Sequence, residues 1–197
     1  MPPTLGFCRR MRLGVLALAL VTGAALADEY TPVTELMRNG QWAQAMARAQ
    51  QYLVTKPRDP QMRFLKGLIE QDSGKPQDAI ATYNTLISDY PELPEPYNNV
   101  AVLYAAQGQY DKARAALEMA IRTSSQYAIA HENLGDVYAR LANQSYLQAQ
   151  RLEAANPTVA PKLTLLRQLF GGPLPARGSA PPTDKALPPS PPASASR

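Results

Sequence analysis

The chain has 197 residues, with 20 basic and 16 acidic side chains and a formal net charge of +4. Three of the basic residues, Arg9, Arg10 and Arg12, precede an apolar run near the amino terminus, and without them the balance falls to 17 against 16. No basic stripe is left, which excludes a nucleic-acid reading built on charge, and the single cysteine, Cys8, excludes a disulfide framework.

In chain order, the first predicted element is a secretory signal peptide over residues 1–27. Leu13 to Val21 form its apolar core, and Ala25-Leu26-Ala27 supply the small residues needed for cleavage before Asp28. The run is shorter than the about 20 apolar residues of a comfortable membrane span, so an exported, periplasmic chain without stable membrane insertion is expected. The alternative is an uncleaved inner-membrane anchor. Cys8 lies before the apolar run, whereas a lipoprotein cysteine must follow it.

Residues 28–170 read as one helical domain, because apolar positions recur at helical spacing and strand signals are almost absent. Its predicted units span 28–59, 60–93, 94–127 and 128–157. Asp59-Pro60 places a capping side chain before a first-turn proline, Lys75-Pro76 opens the next helix with a proline, and Pro94 and Pro96 open the third hairpin. In the fourth unit Ala142-Asn143-Gln144 stands where a turn is needed, and a second helix is expected near Ser145 to Ala155. A capping helix is predicted over 158–170, with Leu163, Leu166, Leu169 and Phe170 on one face covering the end of the stack. Residues 171–197, rich in Pro, Ala and Ser, should form a disordered tail because they offer little apolar surface to offset the entropy of ordering.

A period of 34 residues organises the domain: Gly40, Gly74 and Gly108 recur at that spacing, each followed five positions later by Ala45, Ala79 or Ala113. Gly67, Ala101 and Gly135 form a second small-residue column, and Tyr104 pairs with Tyr138, Val100 with Leu134 and Pro57 with Pro91. Small residues belong where two helices approach closely, and bulky ones fill the gaps between successive hairpins.

These columns resemble the tetratricopeptide repeat family. The best-matching stretch runs from Pro94 to Ala120, through Tyr97, Val100-Ala101, Tyr104, Gly108, Tyr110, Ala113, Leu117 and Ala120, and His131, Leu134-Gly135 and Tyr138 continue it. The second unit departs from the pattern by placing Lys66 and Glu70 at apolar positions. The resemblance covers roughly residues 28 to 157. It implies an all-α fold, a right-handed α-solenoid of about four antiparallel helix hairpins, and an interaction surface on the concave side lined by the first helix of each hairpin.

Catalysis is not expected. His131 stands in the column where the preceding unit has Tyr97, which gives it a packing role, and Glu132 and Asp136 are one turn apart without a nucleophile, metal-ligand cluster or phosphate loop to work with. No cofactor or metal is implied. The expected partner is a protein or peptide segment. Carrying the family's groove positions over gives Phe64, Leu68 and Asp72 in the second unit, Asn98, Asn99 and Val102 in the third, and Glu132, Asn133, Asp136 and Arg140 in the fourth. Asn99 and Asn133 repeat at the period; their amides could read a peptide backbone or could satisfy local helix contacts. Three acids against one arginine would repel a terminal carboxylate, leaving a groove for a neutral or cationic peptide. The chain is expected to act as an adaptor or scaffold of an envelope assembly, with a structural or regulatory subunit of a periplasmic enzyme as the alternative.

Overall fold

A computed structural model describes residues 29–170; the expected signal peptide and tail lie outside the described residues. The described part is helical throughout: α1 (Thr31–Arg38), α2 (Trp42–Thr55), α3 (Pro60–Asp72), α4 (Pro76–Asp89), α5 (Pro94–Ala106), α6 (Tyr110–Thr123), α7 (Ala128–Leu152) and α8 (Val159–Phe170). Each helix packs on the next in chain order, with additional packing of α1 on α3 and of α5 on α7. Such neighbour-only packing is that of an α-solenoid of helix hairpins.

The turns explain the period. Gly40, Gly74 and Gly108 have φ of 70°, 80° and 74°, the left-handed conformation that side chains resist. Each closes the same motif: the glycine N–H donates three residues back, as Gly40 does to Met37, and the following N–H reaches five residues back. Gln41 to Leu36, Lys75 to Glu70 and Gln109 to Tyr104 make that second bond at 2.8, 2.8 and 2.9 Å. A helix so ended has its last carbonyls satisfied and its chain reversed.

The core consists of three clusters strung along the stack. Val33, Ala45, Ala49, Met62, Leu65 and Ile69 join the first two hairpins. Phe64, Ala79, Ile80, Tyr83, Leu86, Val100 and Leu103 join the second to the third, and Tyr97, Ala101, Ala113, Leu117, Ala120, Ala130 and Val137 join the third to α7. Ala45, Ala79 and Ala113 are fully buried, which is what a close-contact column requires. Lys66 and Glu70, the polar departures from the pattern, form an ion pair that Thr82 of α4 completes: its Oγ1 accepts from Lys66 Nζ at 2.9 Å and donates to Glu70 Oε2 at 2.6 Å. Their burial is compensated between the two helices.

The fourth unit corrects one expectation. No separate helix forms near Ser145 to Ala155; α7 runs on for 25 residues to Leu152. Ala142-Asn143-Gln144 contains no glycine to adopt the left-handed turn, so the helix continues through it. α8 then folds back and becomes the second arm of the last pair. Lys162 lies over Tyr146, and Phe170 lies under Arg140, so the two helices run antiparallel. Val159 and Leu163 are buried against α7, but Leu169, expected beside them, is 63% exposed.

Candidate functional site

The first helices of the hairpins, α3, α5 and α7, present corresponding faces. On α5, Glu95, Asn98, Asn99 and Val102 lie three, four and seven positions apart, hence on one face. On α7 the same face carries Ile129, Glu132, Asn133 and Asp136, and on α3 it carries Gln61, Phe64, Leu65 and Leu68.

The structure divides the ten residues expected to line a groove. Phe64 is buried and packs on Tyr83, with ring centroids 5.8 Å apart, and Leu68 is half-buried between two core clusters. Asn98 is fully buried and Asn99 is 3% exposed. Their amides are spent on one another: Asn133 Nδ2 donates to Asn98 Oδ1 at 2.7 Å, Asn98 Nδ2 to Asn99 Oδ1 at 3.2 Å, and Asn99 Nδ2 to the Tyr83 hydroxyl at 3.3 Å. This chain of bonds ties α7, α5 and α4 together, and it favours the local helix–helix role of the asparagines over the backbone-reading one. Burial pushes the Tyr83 phenol upward, and the Asn99 bond pulls it back.

The remaining residues face outward. Val102 is 40% exposed, an apolar side chain between the buried Ala101 and Leu103, and Asp72, Glu132 and Asp136 are exposed. Arg140 is half-buried with its guanidinium 3.8 Å from the Phe170 ring centre, so α8 holds the one cation assigned to this face. His131 is exposed rather than packed like Tyr97; its ring Nε2 is 3.0 Å from the Ser125 carbonyl oxygen and ties α7 to the preceding loop. Among the described residues no cluster of three metal-binding side chains occurs, and no helix is long and apolar enough to cross a membrane.

Two side chains on this face escaped the sequence reading. Gln61 and Glu95 repeat at the 34-residue spacing, one position after Pro60 and Pro94, and they sit seven residues before the half-buried Leu68 and the exposed Val102. The column was visible; its relation to the face was not, because first-turn positions read as caps. Glu95 Oε2 is shut off from solvent without a hydrogen-bond partner. Burial raises the Glu95 carboxyl above the usual carboxylate value, with a bond to its own backbone acting in the opposite direction. Across from it, burial and the Glu95 charge push the Tyr127 phenol up to about 12.

Known proteins share this architecture. Three family profiles match, one described as TPR repeat over residues 102–141 and two described as tetratricopeptide repeat over 30–94 and 82–115. A curated relative, the probable biofilm formation methyltransferase WspC of Pseudomonas putida, is 32% identical over 90 residues, which is 46% of this chain and 21% of that protein. The chain thus spans about a fifth of that relative's length. Among solved structures, TTC0263, a thermophilic TPR protein of Thermus thermophilus, superposes with a TM-score of 0.54 at 24% identity, covering 73% of this chain and 83% of the other. The first TPR of Spaghetti (RPAP3), bound to the HSP90 peptide SRMEEVD, gives 0.54 at 13% identity over 58% of this chain and 90% of that one. The glycine-closed hairpins, the core clusters spaced along them and these matches over residues 30–141 make the chain a member of the tetratricopeptide repeat family.

Proposed function

We propose that this protein is a periplasmic adaptor that holds a peptide or protein segment on the shared face of α3, α5 and α7 for an envelope assembly. Tetratricopeptide arrays are non-catalytic modules for protein contacts, and the fold supports that much directly. The observation that carries the groove is Val102: a half-exposed aliphatic side chain between the buried Ala101 and Leu103, on the helix face whose counterpart on α7 carries the exposed Glu132 and Asp136. An apolar contact edged by charge is what a binding surface for a peptide offers. A repeat stack of the same fold holds a peptide in the Spaghetti structure. The export half of the reading rests on Ala25-Leu26-Ala27 after the apolar run. Intact-mass measurement of the exported form tests it: a chain beginning at Asp28 is expected, and retention of residues 1–27 in a membrane fraction favours the anchor. The groove is tested by crosslinked capture from envelope extract. Val102→Trp should lose the partner that the unaltered chain captures, and equal capture moves the contact off this face.

One observation favours the second reading, a subunit that serves an enzyme. The curated relative is named a methyltransferase, and the similarity covers only a fifth of it. If this chain works in the same arrangement with its enzyme on a separate polypeptide, it should co-purify in a large complex with enzymatic activity, whereas exchangeable binding of short peptides supports the adaptor.

A further inference from the structure

The described chain ends on the groove face. α8 runs antiparallel to α7, with Lys162 over Tyr146 and Phe170 under Arg140, whose guanidinium is 3.8 Å from the ring centre. Continued past Phe170, that direction leads along α7 towards Asp136 and Glu132, one and two turns before Arg140, about 6 and 12 Å away at 1.5 Å per residue. Both are exposed on Arg140's side of the helix, and neither makes an ion pair among the described residues. Beside them the floor is apolar: Val102 and Ala106 of α5 are exposed, and Ala105 and Ala139, one period apart on α5 and α7, are half-buried. Side chains this small let another chain approach the helices closely.

The residues that follow carry matching chemistry. Gly171 and Gly172 lead into Pro173-Leu174-Pro175, Arg177 is the first charge of the segment 171–197, and Arg177, Lys185 and Arg197 outnumber Asp184. We propose that this segment folds back on its own α5 and α7, with Leu174 against Val102 and Arg177 facing Asp136 and Glu132, and that a partner must displace it. Resting on the groove reading, this arrangement adds its regulation: the groove has an occupant of its own. The reach suffices. A proline-rich chain advances about 3.1 Å per residue, which lets Leu174 stand up to about 12 Å from Phe170 and Arg177 up to about 22 Å. Val102 holds Asp136's place in the period on the neighbouring helix, and packed helix axes lie about 8–10 Å apart, so it is about 12 Å from Arg140. Tethering gives the tail an effective concentration of about the millimolar range at the groove, so a weak contact is enough to seat it. A partner's apparent affinity then falls with the fraction of grooves left open.

The experiment is disulfide trapping in a glutathione buffer, on the full chain with Cys8→Ser, which leaves no native thiol. Ala176→Cys supplies the tail thiol. The second thiol is Ala106→Cys on the groove floor or, as a control, Thr164→Cys, exposed on α8 about 9 Å from Phe170 by helix rise. Within one chain, the groove pair should close at least about tenfold faster than the control pair. Arg177→Glu should remove most of that advantage, and adding Asp136→Lys should restore it. Equal rates for the two pairs, or an advantage that Arg177→Glu leaves untouched, overturn the proposal. Trapping between two chains also overturns it, because the occupant is then the tail of a second copy. Crosslinked capture from envelope extract separates the two levels: Arg177→Glu should capture at least about threefold more partner than the unaltered chain. Failed trapping alongside loss of capture in Val102→Trp overturns the tail alone. Successful trapping with capture unchanged in both Val102→Trp and Arg177→Glu overturns the displacement and the groove reading, since the partner then binds elsewhere.

Discussion

The second and fourth repeats carry glycine at the same place in the period, yet the two residues do different work. A Cβ on Gly67 would stand 2.5 Å from Tyr83 Cε1 and 2.8 Å from Cζ, within a ring that is fully buried. A Cβ on Gly135 would meet nothing within 4 Å. The difference lies in the partner helix. α3 has α4 packed tightly along it, delivering Tyr83, whereas α7 has outgrown its unit and is met by α8 only farther along. A column in the sequence thus marks a family solution, and whether the solution is used depends on what packs opposite.

Substitution at the two glycines is the strongest way to break this comparison. Gly67→Ala should destabilise by roughly 1–3 kcal/mol, since the methyl group must displace a buried tyrosine. Gly135→Ala should stabilise by about 0.5–1 kcal/mol, because an open helical position gains alanine's propensity without a clash. Chemical denaturation of both variants measures the pair, and a shift of the same sign in each would sink the argument.

The asparagines give the next largest effect. Asn99→Ala removes the donor to Tyr83 and the acceptor for Asn98 in a buried setting, so a loss of about 1–3 kcal/mol is expected. Asn133→Ala, at the half-buried end of the same chain of bonds, should cost less, near 0.5–1.5 kcal/mol. Thermal unfolding would compare them; a silent Asn99→Ala would return that residue to the groove.

The smallest effect is expected at Glu95, and it changes with pH. Its carboxyl is raised in the folded state, so folding favours the protonated form. The stability that protonation contributes is complete below the usual carboxylate value and is lost as pH rises through the raised one. Glu95→Gln should therefore be more stable than the unaltered chain at neutral pH, and the gain should fade as the pH falls towards the usual carboxylate value. A gain independent of pH would show that charge is not its origin.

Much of the fold was legible because its decisive signals are local. Left-handed glycines at a fixed spacing end helices wherever they occur, and the alanines five residues later fall on the buried face of the following helix. The fourth turn was misplaced for the converse reason: Ala142-Asn143-Gln144 lacks that signal, and the expected turn rested on the period alone. The groove was legible only in outline. Spacing puts Glu95, Asn99 and Val102 on one face, but it does not say which of them a neighbouring helix covers.

That division follows from the range of the forces involved. Backbone sterics at Gly40, Gly74 and Gly108 and hydrophobic periodicity act within a turn or two of helix, so the chain alone sufficed to specify the first three hairpins and their repeat. Which amides turn inward, which glycine is crowded and which carboxylate is left without a donor depend on side chains brought together from residues 83, 98, 99 and 133, or from 67 and 83. Those contacts exist only once the hairpins have stacked, because desolvation and hydrogen bonding there are set by the neighbour that arrives and not by the residue that waits for it.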